Sequence, residues 1–218
     1  MKSTPEVITN PPGGGHRRKS ARWRTLLQIA NYAEFLVILL FAVFQLLTIS
    51  CSKRIYPDSS VRNIETRAEK QKLKEFMDAG TEKVLDTRNV TPDEIIMTAR
   101  KYLGVPHCMG GTTMKCIDCS GLLVAVFASK GIQLPHNSEE QARYGRIITG
   151  TENLKKGDLV FFIKSYETSH FITHSGIYIG NNKFIHTSAK AGVTITSLSD
   201  PWWSERYLFA TRVFRQDV

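Results

Sequence analysis

After Gly157 the chain stops reading as helix. Five short runs rich in β-branched and aromatic residues follow one another: Leu159–Ile163, Ser175–Ile179, Lys183–Thr187, Val193–Ser197 and Leu208–Phe214. Each has the length and composition of a strand. Turn residues separate them, at Lys156-Gly157-Asp158, Gly180-Asn181-Asn182 and Ala191-Gly192. Runs of helices followed by such a sheet make an α+β fold, with helices packed on an antiparallel β-sheet.

The helices come first. At Thr91-Pro92-Asp93-Glu94 a threonine followed three residues later by glutamate is a capping box, with proline at the first helical position. Ile95, Ile96, Ala99, Tyr102 and Leu103 give the buried stripe, and Gly104 ends the helix. A second helix is expected to start at Cys119, capped by Asp118, with Leu122, Leu123, Val126 and Phe127 facing inward and Gly131 as the stop. Ser138-Glu139-Glu140-Gln141 reads as a further capping box opening a short helix. Residues 91–218 therefore form the expected domain. Residues 51–90 are polar and read as a tether carrying one helix, in which Ile64, Ala68, Leu73, Phe76 and Met77 give a patchy apolar face ending near Gly80.

Residues 1–50 are a leader. A Pro/Gly-rich and then basic stretch (Arg17, Arg18, Lys19, Arg22, Arg24) cannot bury apolar surface. The apolar run Phe35–Leu47 follows, its thirteen residues short of the roughly 20 that span a bilayer and closer to a signal-peptide core. Leu47-Thr48-Ile49-Ser50-Cys51 then resembles a bacterial lipoprotein signal, which implies lipidation at Cys51. The alternative is an uncleaved signal anchor from about Leu26 to Ile49. Either anchors the chain to a membrane and places the rest outside the cytoplasm, because the basic flank stays inside. The lipoprotein resemblance implies the bacterial cell envelope, with the domain on an outer-membrane lipoprotein facing the periplasm.

Charge narrows the partners. The net charge is +9, but residues 1–50 hold six basic and two acidic side chains (+4), leaving 23 basic and 18 acidic (+5) in the remainder. No basic stripe interleaved with aromatics is present, so nucleic acid is not an expected partner.

Chemistry concentrates at Asp118-Cys119-Ser120-Gly121. Only the thiolate attacks a carbonyl, and a helix N-terminus favours the anion through its unpaired N–H groups and the macrodipole. Gly110-Gly111-Thr112-Thr113 lets the chain turn tightly ahead of it. Such a cysteine needs a base, and the base needs an orienting group. His174 opens one strand and His186 lies near the end of the next. The two share a face only if the hairpin pairs residues whose numbers sum to an even value, which takes an odd loop or a bulge.

Asp118-Cys119-Ser120-Gly121-Leu122, Lys156-Gly157-Asp158-Leu159-Val160-Phe161-Phe162, Thr173-His174-Ser175-Gly176-Ile177-Tyr178-Ile179-Gly180 and Phe184-Ile185-His186 occur in that order over about Thr91 to Val213. The set resembles the NlpC-type cell-wall endopeptidases. That resemblance implies a papain-like fold and hydrolysis of peptidoglycan stem peptides, usually between D-glutamate and a diamino acid, with no cofactor or metal. Carried over by position, Cys119 is the nucleophile, His174 the base and His186 the orienting third member. Asp118 and Ser120 match the family's groove and capping residues. His107 stands where relatives usually have tyrosine and His136 where arginine is common, so both are expected in the substrate groove, altering specificity. A wall-binding protein without activity, and an amidase or acyltransferase on the same scaffold, are the competing functional readings.

In an oxidising compartment Cys108 and Cys116 are expected to pair, leaving Cys119 free. Two alternatives compete: a Cys116–Cys119 disulfide, which would switch the site off, and a zinc site of His107, Cys108, Cys116 and Cys119. Trp202 and Trp203 face substrate, or at least one of them serves the core or an edge.

Overall fold

The computed structural model describes residues 61 and 63–214; the leader, the apolar run and Cys51 lie outside the described residues. Helix α1 (Arg67–Asp78) begins at Thr66, whose side chain accepts from the Glu69 amide while the Glu69 carboxylate accepts from the Thr66 amide. Its buried face, Leu73, Phe76 and Met77, joins the main core. Phe76 packs against Phe209 of the sheet with ring centroids 6.0 Å apart. Arg143 covers the other end, donating from Nη1 to the carbonyls of Phe76 and Gly80, each at 2.9 Å. The segment expected to be a tether is thus built into the packed domain from residue 61 onward.

Helix α2 (Pro92–Arg100) has the expected capping box and proline. It ends at Arg100, so Tyr102 and Leu103 fall in the following turn and Leu103 is exposed at 42% rather than buried. Helix α3 (Cys119–Ala128) starts at the cysteine with Asp118 as its cap, and Leu122, Leu123, Val126 and Phe127 are fully buried. Helix α4 (Ser138–Gln141) corrects the expected box. Its cap is Asn137, whose side chain accepts from the Glu139 and Glu140 amides, and Ser138 is the first helical residue. A last short helix, α5 (Pro201–Ser204), is capped by Asp200.

Six strands form one antiparallel sheet in the order β1-β6-β2-β3-β4-β5. They are β1 (Arg146–Ile148), β2 (Leu159–Ile163), β3 (Ile172–Gly180), β4 (Lys183–Ser188), β5 (Gly192–Ser197) and β6 (Tyr207–Arg212). Both faces are covered. Phe161, Ile177, Ile185 and Phe209 face the larger core with α1, α2 and α3, while Val160, Phe162, Tyr178, Phe184 and Ala210 build a smaller one under Trp203. No helix among the described residues is long and apolar enough to cross a membrane.

Candidate active site

Two strands hold the start of α3 in place. Thr187 Oγ1 on β4 donates to the Asp118 carbonyl at 3.2 Å, and the Cys119 sulfur accepts from the Ser175 backbone on β3. The Asp118 carboxylate fixes the turn before the helix. Oδ1 accepts from the Gly121 amide (2.6 Å) and from Ser120 Oγ (3.0 Å), and Oδ2 accepts from the Gly110 amide (2.8 Å). Gly121 is required here, because a Cβ would lie 2.0 Å from the Gly111 carbonyl oxygen. Cys108 and Cys116 form a disulfide and Cys119 is free, which excludes the Cys116–Cys119 bridge and removes two ligands of the zinc alternative.

The histidines meet as parity demands. Ile177 pairs with Ile185 and Tyr178 with Phe184, whereas Gly180 pairs with Lys183, so an irregularity after Tyr178 restores an even sum. His174 and His186 then share one face, with His174 Nε2 3.0 Å from His186 Nδ1. Between them Gly176 supplies no side chain, and a Cβ there would approach the His186 Cβ to 3.2 Å. Trp203 packs on both rings, at 4.6 Å from His174 and 4.5 Å from His186. The other nitrogen of His186, Nε2, lies 2.9 Å from Thr196 Oγ1.

A cleft of about 660 Å³ brings the candidate residues together, lined by Cys119, His174, Asp118, Ser120, His107 and His136 among others. His186 stands behind this surface, fully buried. His136 Nε2 reaches both Asp118 oxygens, at 3.0 and 3.1 Å. Asp118 and Ser120 are therefore engaged with each other, the helix start and His136, although both border the cleft. Trp202 is exposed and also lines it.

Burial sets the protonation states. It pushes the Cys119 thiol up, as does the Asp118 charge, against hydrogen bonds from Ser138 and from the Ser175 and Ser120 backbone that pull it down. Burial thus opposes the help that the helix N-terminus gives the anion. Burial likewise holds His174 well below the usual imidazole range, with His186 and His107 adding to the effect, and pushes His186 to about 3. Burial thus favours the neutral thiol and the neutral imidazole. Since His174 Nε2 is committed to His186, Nδ1 is the nitrogen left for the thiol proton.

Ser138, read in the sequence only as a cap residue, also borders the cleft. Its Oγ is 3.7 Å from the Cys119 sulfur and 3.1 Å from Ser175 Oγ, and Ser175 Oγ donates to Gln141 Oε1 at 3.1 Å. Gln141 in turn donates to the carbonyls of Ser120 and Pro135. Its spacing from Ser138 marked both as cap residues; their real partners are distant in sequence.

A free cysteine at a helix start and a histidine pair on an adjoining antiparallel sheet give this papain-like fold the residue types of a cysteine hydrolase around one cleft. The chain belongs to the NlpC/P60 family, whose model matches residues 104–212. It is 36% identical over 164 residues to the murein DD-endopeptidase MepS/murein LD-carboxypeptidase of Escherichia coli strain K12, covering 74% of this chain and 81% of that protein. It is 44% identical over 114 residues to a probable endopeptidase NlpC homolog of Haemophilus influenzae, covering 52% of this chain and 58% of that protein, under two thirds of its length. A crystal structure of an NlpC/P60 family protein from Bacillus cereus superposes with a TM-score of 0.52 at 34% identity, over 58% of this chain and 41% of that one.

Proposed function

We propose that the protein is a cysteine endopeptidase that hydrolyses peptide bonds in peptidoglycan stem peptides. The observation that carries this reading is that His174, held by His186 Nδ1 at 3.0 Å from behind, lines the same cleft as the free Cys119. The family and the murein endopeptidase name of the E. coli relative support the substrate class.

The residues then act in order. His174 Nδ1 takes the thiol proton as the sulfur attacks the carbonyl carbon, and the Cys119 amide at the helix start donates to the oxyanion. The C–N bond breaks as His174 returns the proton to the leaving amine. Water, deprotonated by His174, attacks the thioester, the C–S bond breaks and the proton goes back to the thiolate. His186 orients His174 while staying neutral.

Two features of the cleft bear on specificity. His107 and His136 stand where relatives commonly carry side chains of different reach and charge, and both border the groove. A cut between D-glutamate and the diamino acid is one outcome; the DD-endopeptidase or LD-carboxypeptidase cut in the E. coli relative's name is the alternative. Incubation of the protein and of Cys119→Ala with purified peptidoglycan, with products identified by mass spectrometry, decides between them. Stem-peptide fragments only with the intact cysteine are expected, and binding without cleavage by both proteins would leave a wall-binding module instead.

Membrane attachment belongs to the same proposal. The apolar run Phe35–Leu47 followed by Cys51 supports a lipid anchor there, or a signal anchor, with the domain in the cell envelope. Mass spectrometry of the native N-terminus tests it: a chain starting before Cys51 and free of lipid would rule out lipidation.

A further inference from the structure

The register that aligns the two histidines carries one step further across the sheet. Phe184 pairs with Thr196 and His186 with Thr194, so Thr196 lies diagonal to His186 on the same face of β5. His174, His186 and Thr196 thus run in a row over β3, β4 and β5, joined by contacts of 3.0 and 2.9 Å. Each nitrogen of His186 has one side-chain partner, the Thr187 backbone adds a further hydrogen bond to the ring, and the ring is fully buried.

A neutral imidazole has one donor and one acceptor nitrogen, so this row has two arrangements. In the first, His186 Nε2–H donates to Thr196 Oγ1 and Nδ1 accepts from His174 Nε2–H, leaving a lone pair on His174 Nδ1 for the thiol proton. In the second, the Thr196 hydroxyl donates to Nε2, Nδ1–H donates to His174 Nε2, and the His174 proton sits on Nδ1. That tautomer cannot act as a base toward the thiol. The first arrangement needs an oxygen acceptor beside His186 Nε2, because a buried N–H without a partner is disfavoured more than an unpaired acceptor. Thr196 is half-buried at the sheet edge, so its own O–H can turn to water while its oxygen accepts.

We propose that Thr196 is a positioning residue of this site, whose hydroxyl oxygen accepts from His186 and thereby fixes the productive tautomer of His174. Thr196 touches neither substrate nor sulfur; it acts through His186. The catalytic consequence rests on the hydrolase reading above, but the tautomer itself does not.

The test uses the full-length protein with 15N-labelled histidine at neutral pH, together with Thr196→Val and Thr196→Ser. In the native protein, NMR is expected to show the His186 proton on Nε2 and a bare Nδ1. Thr196→Val should shift that proton toward Nδ1 and lower kcat on peptidoglycan by about 10- to 100-fold with little change in KM, and Thr196→Ser should restore both. A native His186 protonated on Nδ1 overturns the proposal, and this measurement decides even if the valine variant does not fold. So does a folded Thr196→Val with native tautomer and native kcat. If the native protein turns over no peptidoglycan, the hydrolase reading fails on its own, and the NMR result still decides the role of Thr196.

Discussion

The Nε2 of His136 lies 3.0 Å from Oδ1 of Asp118, so the carboxylate that caps the helix starting at Cys119 also anchors a side chain of the cleft. The same carboxylate ties down the Gly110 amide from the preceding turn. Cap, turn and groove wall are therefore tied to one carboxylate.

Replacing Asp118 separates its two effects. Asp118→Ala removes the cap and strands the Gly110 and Gly121 amides, and is expected to cost about 2–4 kcal/mol in chemical denaturation. Asp118→Asn keeps one acceptor oxygen and loses the charge that raises the Cys119 thiol. Its rate of iodoacetamide alkylation at Cys119 should rise at lower pH than in the native protein. An unchanged pH profile would mean that the carboxylate charge does not reach the sulfur.

Acid stability follows from the buried histidines. Both folded values are depressed, His186 from 6.5 to about 3 and His174 well below 6.5. The unfolded chain then binds more protons in that window, so their contribution is present above pH 6.5 and is lost as pH falls toward 3. Each removes up to about 1.4 kcal/mol per pH unit. His186→Gln should make the acid limb of the stability–pH curve shallower by about that slope, measured by denaturant titration at several pH values. An equally steep limb would assign acid unfolding to other groups.

Much of this arrangement was legible beforehand, and where it was not, the signal lay far away in sequence. Strand β2 was readable to the residue because Leu159–Ile163 is an unbroken apolar run buried on both faces. The parity rule tied the two histidines to an odd loop or a bulge, and the register does shift after Tyr178. By contrast, β1 is three residues with one buried side chain, too short for a period, and exists because β6 offers it an edge. Helix α1 looked detached because its partners, Arg143 and Phe209, are remote. Ser138 fitted a capping pattern, yet its hydroxyl goes to Ser175 and Cys119 while Asn137 takes the cap. Nothing local could have placed Trp203 over both histidines.

The Cys108–Cys116 disulfide closes a small loop whose Gly110 amide binds Asp118. A loop of this length contributes about 2–3 kcal/mol by restricting the unfolded chain. Cys108→Ser with Cys116→Ser should lower stability by that amount and leave the nucleophile in place. Peptide mapping without reductant is expected to find Cys119 alkylated and Cys108 and Cys116 protected. Alkylation at all three would contradict the pairing.

Gly121 sets two opposing effects against each other. It sits in the first turns of α3, where alanine would raise helix propensity by about 1 kcal/mol. A Cβ there, however, would stand 2.0 Å from the Gly111 carbonyl oxygen and 3.1 Å from Asp118 Oδ1. That carbonyl accepts from the Asp118 amide at 3.0 Å, so it cannot retreat without opening the turn. Overpacking against backbone costs about 1–3 kcal/mol or more, which outweighs the gain in propensity. Gly121→Ala is therefore expected to be destabilised by about 2 kcal/mol and to lose most of its activity, because the Gly110–Gly111 turn and the Cys119 sulfur can no longer hold their relative positions. Denaturant midpoints and Cys119 alkylation rates check both halves. A variant as stable and as reactive as the native protein would mean that the turn yields freely, and that the nucleophile's position is set by Thr187 and Ser175 on the sheet alone.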